Sequence, residues 1–133
     1  MRTKRTQIIL ILTVAMALFG TTVAQAAEDV SSHVSATHAG FARHPGTHVW
    51  STMLTVKNTG SSAINGPIQV VLTKLSENAS MTNSNGTYKG SPYITVSTGP
   101  LAAGASVQVK LQFANPTNDF INFTPVTEAG DLQ

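Results

Sequence analysis

Four histidines, His33, His38, His44 and His48, fall within sixteen residues of one another, and imidazole is a ligand for zinc, copper or nickel. On a helix His44 and His48 would share a face, but Pro45-Gly46 lies between them and breaks that helix. In an extended segment the same two residues again point one way. No cysteine is present in the chain and no carboxylate lies among the four, so the cluster is a candidate metal site without the mixed ligand set of most zinc centres. Tyr88 and Tyr93 are the other candidates. Tyr88 follows a turn-forming Asn85-Gly86 pair and reads as exposed, and Tyr93, out of phase with the apolar Ile94 and Val96, reads as facing solvent or covering an edge, so both are candidates to bind a glycan or a protein partner.

Catalytic patterns are absent. No G-x-S-x-G elbow surrounds any serine. Asp119 and the histidines lie at opposite ends of the sequence. Glu77, Asp119 and Glu128 sit near expected strand ends or loops and read as solvated charges rather than a glycosidase pair. No cofactor is expected, and the chain reads as a non-enzyme.

The first 26 residues read as an export signal. Arg2, Lys4 and Arg5 form a positive start, Ile8 to Phe19 is an apolar run, and Ala24-Gln25-Ala26 is a small-x-small cleavage site before Ala27. The apolar run is shorter than the roughly 20 residues a membrane-spanning helix needs, so no membrane insertion is expected after cleavage. Removal of residues 1–26 leaves Arg43, Lys57, Lys74, Lys89 and Lys110 against Glu28, Asp29, Glu77, Asp119, Glu128 and Asp131. The positive excess of the whole chain, +2 with the histidines neutral, thus belongs to the leader, and a nucleic-acid partner is not expected. The expected destinations are the periplasm, the cell surface or the medium.

The elements that must position these residues are strands. Period-two alternation puts Trp50, Thr52, Leu54 and Val56 on one face, and Val107, Val109, Leu111 and Phe113 on one face of a second strand. Ile68, Val70 and Leu72 make a third inward row, and Tyr93 to Val96 and Ile121 to Val126 two shorter strands. Asn85-Gly86 reads as a type I′ hairpin turn. Lys57, Lys74, Lys89 and Lys110, spread singly, read as charges protecting sheet edges. An unprotected edge would recruit another copy, with residues 28–40 as the donated strand.

Several stretches carry a resemblance. Val56-Lys57-Asn58-Thr59-Gly60, Gly66-Pro67 and Ser91-Pro92-Tyr93-Ile94 are three of them. Ile68 to Leu75, Leu101-Ala102-Ala103-Gly104-Ala105-Ser106-Val107, Phe113-Ala114-Asn115-Pro116 and Ile121 to Pro125 are the others. Together they resemble an immunoglobulin-like or fibronectin-III-like module of bacterial secreted proteins. The resemblance covers about residues 41–130 and departs from it at Ala103, where a proline is common. It implies an all-β, antiparallel Ig-like sandwich of about seven strands, without a catalytic motif. The expected organisation is a signal-peptide helix over 1–26, a flexible lead-in or edge strand over 27–40, the sandwich over 41–130 and a tail over 131–133. The expected function is adhesion, scaffolding or protein binding. Sugar binding through Tyr88 and Tyr93, self-assembly, and metal binding through the histidines are the alternatives.

Overall fold

The computed structural model describes residues 26–132. The leader read over residues 1–26 therefore lies, but for Ala26, outside the described residues. No helix among the described residues is long and apolar enough to cross a membrane.

The chain forms β1 (Glu28–Asp29), a 3-10 turn (Ser31–His33), β2 (Val34–His38), β3 (Ala42–Arg43), β4 (Val49–Asn58) and β5 (Ile68–Thr73). It continues through β6 (Ser80–Met81), β7 (Gly86–Tyr88), β8 (Ser91–Ser97), β9 (Ser106–Ala114) and β10 (Thr124–Ala129). These pair into two antiparallel sheets, β1-β10-β5-β8-β7 and β2-β4-β9-β6, with β3 also paired to β4. Their inner faces meet in one core. Leu54, Val56, Leu111 and Phe113 come from one sheet and Ile68, Val70, Leu72, Ile94 and Val96 from the other, and all are buried. The alternation in β4 and β9 arises because only one face of each strand meets this core. Trp50, Val107 and Val109 pack against the core while remaining partly exposed.

The two-sheet architecture matches the sandwich expected from the sequence. Its central pairings are β4 with β9 in one sheet and β5 with β8 and β10 in the other.

Residues 28–38 are ordered edge strands that cross from one sheet to the other. β1 pairs with β10 and β2 with β4, and between them Val30 is buried, its N–H donating to Thr127 O at 2.8 Å. The edges are protected by shortness and by irregular backbone rather than by lysine. Lys57 and Lys110 lie on β4 and β9, interior strands of their sheet, and Lys74 and Lys89 lie in connections. β2 keeps one register with β4 up to His38↔Leu54, and β3 resumes at Ala42↔Ser51, so the edge carries one extra residue around Gly40.

Two local expectations are corrected. The type I′ turn is formed by Lys89 and Gly90, with φ of 52° and 84°, which link the paired Tyr88 and Ser91. Asn85 is instead tied to β8, its Oδ1 accepting from Thr95 N at 2.7 Å and its N–H donating to Tyr93 O at 2.8 Å. Ile121 and Phe123 are buried but precede the last strand, which begins at Thr124.

Leu111 is fully buried where the sheets meet. Leu111→Ala is expected to cost about 2–5 kcal/mol of unfolding free energy in denaturant titration. A cost under about 0.5 kcal/mol, the level of surface changes, would contradict this placement.

Candidate functional site

The four histidines do not converge. His33 ends the 3-10 turn and His38 ends β2, which holds them apart by five residues of mostly extended chain, roughly 16 Å at strand rise. His44 and His48 belong to the β3–β4 turn, where His48 N–H donates to His44 O at 2.7 Å and His48 takes a φ of 60°. Arg43 Nη2 donates to His48 Nδ1. His38 Nδ1 donates to Ala39 O at 2.7 Å, and its ring lies against Phe41 and Phe123 with centroids 5.2 and 5.1 Å away. Among the described residues no group of three or more His, Asp or Glu side chains is placed to hold a metal ion.

Tyr88 and Tyr93 lie on the outer face of the β1-β10-β5-β8-β7 sheet, both half-buried. Each ring is engaged by a neighbour. Lys89 Nζ stands 5.1 Å from the centroid of Tyr88. Tyr93 covers Gly86 across the strand pair, so closely that a Cβ there would stand 3.0 Å from the ring. Tyr88 also borders a hollow of about 220 Å³ with Val71, Lys89 and Glu128, which Tyr93 does not line. On the same face Glu128 is buried, with Gln69 and Asp29 opposite it on the neighbouring strands. Burial pushes the Glu128 carboxyl above its ordinary value, the Asp29 charge adds to this, and Lys89 opposes it. Asp29 is held below its ordinary value by hydrogen bonds from the Ser31 hydroxyl and backbone. The Ser31 N–H donates to Asp29 Oδ1 at 2.9 Å.

A further concavity lies at the end of the sandwich where β4 begins and β9 ends. It is a cleft of about 630 Å³ between the extra residue of the edge strand and the connection from β9 to β10. His38, Gly40, Phe41 and Trp50 line one side, and the run Asn118 to Asn122 lines the other. Phe41 meets Phe113 edge to face at 5.8 Å, which seats that wall on the core. Thr52 Oγ1 donates to Ala39 O at 2.7 Å and Ala39 N–H donates to Met53 O at 3.1 Å, which holds the bulged chain against β4.

The opposite wall hangs on asparagines. Asn115 is buried, and its Nδ2 donates to Asp119 O at 2.7 Å. Asn78 Nδ2 donates to Asn115 Oδ1 at 3.0 Å and to Phe120 O at 3.1 Å. Ser76 N–H donates to Asn122 O at 2.9 Å, and Ser76 Oγ accepts from Asn122 N at 3.1 Å. The loop after β5 thus clamps the loop before β10. The clamp presents Phe120 to solvent, 82% exposed, although it is a large apolar ring. A second hollow of about 400 Å³, bordered by Arg43, His48 and Pro116, adjoins the cleft at Asn118.

Trp50 has two roles here. Its body packs against the core, as its alternation with Leu54 and Val56 implies, and it also lines the cleft. Phe120 was missed by sequence reasoning, although a signal existed: with Ile121 and Phe123 inward, residue 120 is on the outward phase. The cleft as built offers aromatic surfaces for stacking and short planar polar groups for hydrogen bonding. It has one carboxylate, Asp119, in its lining. Comparison of the chain with protein-family models, with curated proteins and with solved structures finds no match.

Asn78→Ala is expected to destabilise the fold by about 1 kcal/mol, because it removes the partner of the partly buried Asn115 Oδ1 and one of the two donors to Phe120 O. Faster amide hydrogen exchange confined to residues 115–122 would accompany it, and unchanged exchange there would refute the clamp. For Glu128 the folded chain holds its proton more tightly than the unfolded chain. Its contribution to stability therefore falls as pH rises from the ordinary carboxylate range through the raised value. Glu128→Gln should raise the Tm at neutral pH, with the gain shrinking as the pH falls into the acid range.

Proposed function

We propose that the protein is an exported, non-catalytic binding module that engages its ligand in the end cleft of the sandwich. Its place of action would be the periplasm, the cell surface or the medium. The export half rests on the three-part leader in residues 1–26. The binding half rests on one observation: Phe120, 82% exposed, is held at the cleft by a partly buried amide network. An apolar ring left in water forgoes roughly 25 cal/mol for each Å² it could bury, and a rigid loop that presents one favours association with a partner. The immunoglobulin-like reading contributes the architecture, a two-sheet body carrying loops at its ends.

The alternatives receive less support. Self-assembly by donation of residues 28–40 would require unpairing a segment already shared between both sheets of its own chain. Metal binding would require rearranging the β3–β4 turn to bring the histidines together. Sugar binding on Tyr88 and Tyr93 would require displacing Lys89 from the first ring and exposing a face of the second that now lies on Gly86.

Expressed from its full sequence in a bacterial host, the protein is expected outside the cytoplasm with Ala27 as its first residue, by intact-mass and N-terminal analysis. Recovery of only the full-length 13.9 kDa chain from the cytoplasm would overturn the export reading. Binding of the mature chain to native surface material should fall at least about tenfold in Phe120→Ala, as for truncation of a central aromatic contact, and hold in Tyr88→Ala. The reverse pattern would overturn the cleft as the site.

A further inference from the structure

We infer that the end cleft takes a saccharide, an assignment that rests on the reading of this cleft as the binding site. Two chemistries meet in one concavity. Phe41, Trp50 and Phe120 supply aromatic surface, and Asn118, Asp119 and Asn122 supply short, planar hydrogen-bonding groups. A sugar ring has the matching construction, with apolar C–H faces and a rim of hydroxyls that both donate and accept.

Other ligand chemistries fit less well. A hydrocarbon would bury Asp119 and the two asparagines without partners, at a cost of a few kcal/mol for each unpaired polar group. A peptide added as a strand needs free backbone groups on the edge. At the cleft that edge has no regular ladder: the extra residue near Gly40 breaks its register, and Ala39 N–H and O are turned inward to Met53 and Thr52 of β4. A phosphate or other compact anion would meet the Asp119 carboxylate in the lining. A sugar needs neither a free edge nor a cationic pocket.

The size also fits. About 630 Å³ lies within the roughly 300–1,000 Å³ range of small-molecule sites. The adjoining hollow of about 400 Å³ shares Asn118 with the cleft, so an oligosaccharide can continue from one into the other, past Pro116 towards Arg43. The walls are preset by the amide clamp and by the Thr52 bond, so little ordering is left for the ligand to drive.

Trp50 is the single tryptophan of the chain, so its emission reports on the cleft directly. The test is a glycan array probed with the mature exported chain, followed by calorimetric and fluorescence titration with the best-bound oligosaccharide. Saturable binding with a shift in Trp50 emission is expected. It should weaken at least about tenfold in Phe120→Ala and in Asp119→Ala, and remain unchanged in Tyr88→Ala. Phe120 is exposed, so its variant should keep the wild-type Tm, which is measured alongside. Two results would overturn the assignment: no saturable binding to any arrayed sugar, or binding that leaves Trp50 emission unchanged and ignores Phe120→Ala. A photocrosslinking residue at position 120 separates the two levels of failure. Crosslinks to a surface protein without sugar binding would sink the saccharide and leave the binding module standing. Neither sugar binding nor crosslinks would sink both.

Discussion

A sandwich closes its middle by packing and its ends by hydrogen bonding, and in this protein buried asparagines do the second job. At one end Asn58 is fully buried. Its Nδ2 donates to Ser62 O and Leu101 O, both at 2.9 Å, and its Oδ1 accepts from Gly60 N at 2.9 Å. At the other end Asn115 joins Asn78 and the backbone of Asp119. Loop backbone at the rim of a core has no ladder partner, and an unpaired buried group costs more than a typical hydrogen bond gains. An amide side chain can donate and accept at once, so one residue satisfies carbonyls and N–H groups from different loops.

The two ends are used differently. Around Asn58 the amide draws the loops after β4 and before β9 together and leaves them mostly closed, with Ile64 and Leu101 exchanging both backbone hydrogen bonds. Around Asn115 the amides hold a wall apart from the bulged edge strand, and the space between is the cleft. The extra residue near Gly40 matters for the same reason. It turns the edge strand away from regular pairing, which brings Phe41 into the cleft lining with Phe120 and disfavours strand addition at that edge.

The N-terminal segment is part of the body. Val30 is buried between its two short pairings, and Ser31 contributes twice: its Oγ accepts from Thr127 N at 3.0 Å and its hydroxyl holds the Asp29 carboxylate. Polar composition left the lead-in and edge-strand readings both open in the sequence, because the contacts are made by backbone and by Val30, Val34 and Ala36 among small polar residues. The outer face of β5 was hidden similarly. Gln69 and Val71 are buried there beside Glu128, and nothing in the alternation of Ile68, Val70 and Leu72 states that the opposite face is covered too.

The strands themselves were determined by the sequence. A strand with one face in a core repeats every two residues, and β4 and β9 carry that repeat in Trp50 to Val56 and Val107 to Phe113. Turn positions were legible as composition, but the turn type was not. Asn85-Gly86 and Lys89-Gly90 compete for the hairpin, and the Asn85 side chain is committed to Thr95 across the sheet. The site was legible only in pieces. Outward phase for residue 120 is local information. Its meeting with Phe41 and Trp50, some seventy residues earlier, and the separation of four histidines that are neighbours in sequence, depend on which strands pair and in what register. Periodicity is set by each residue's immediate chain neighbours, and a cleft is set by contacts between segments distant in sequence, so only the tertiary structure could decide it.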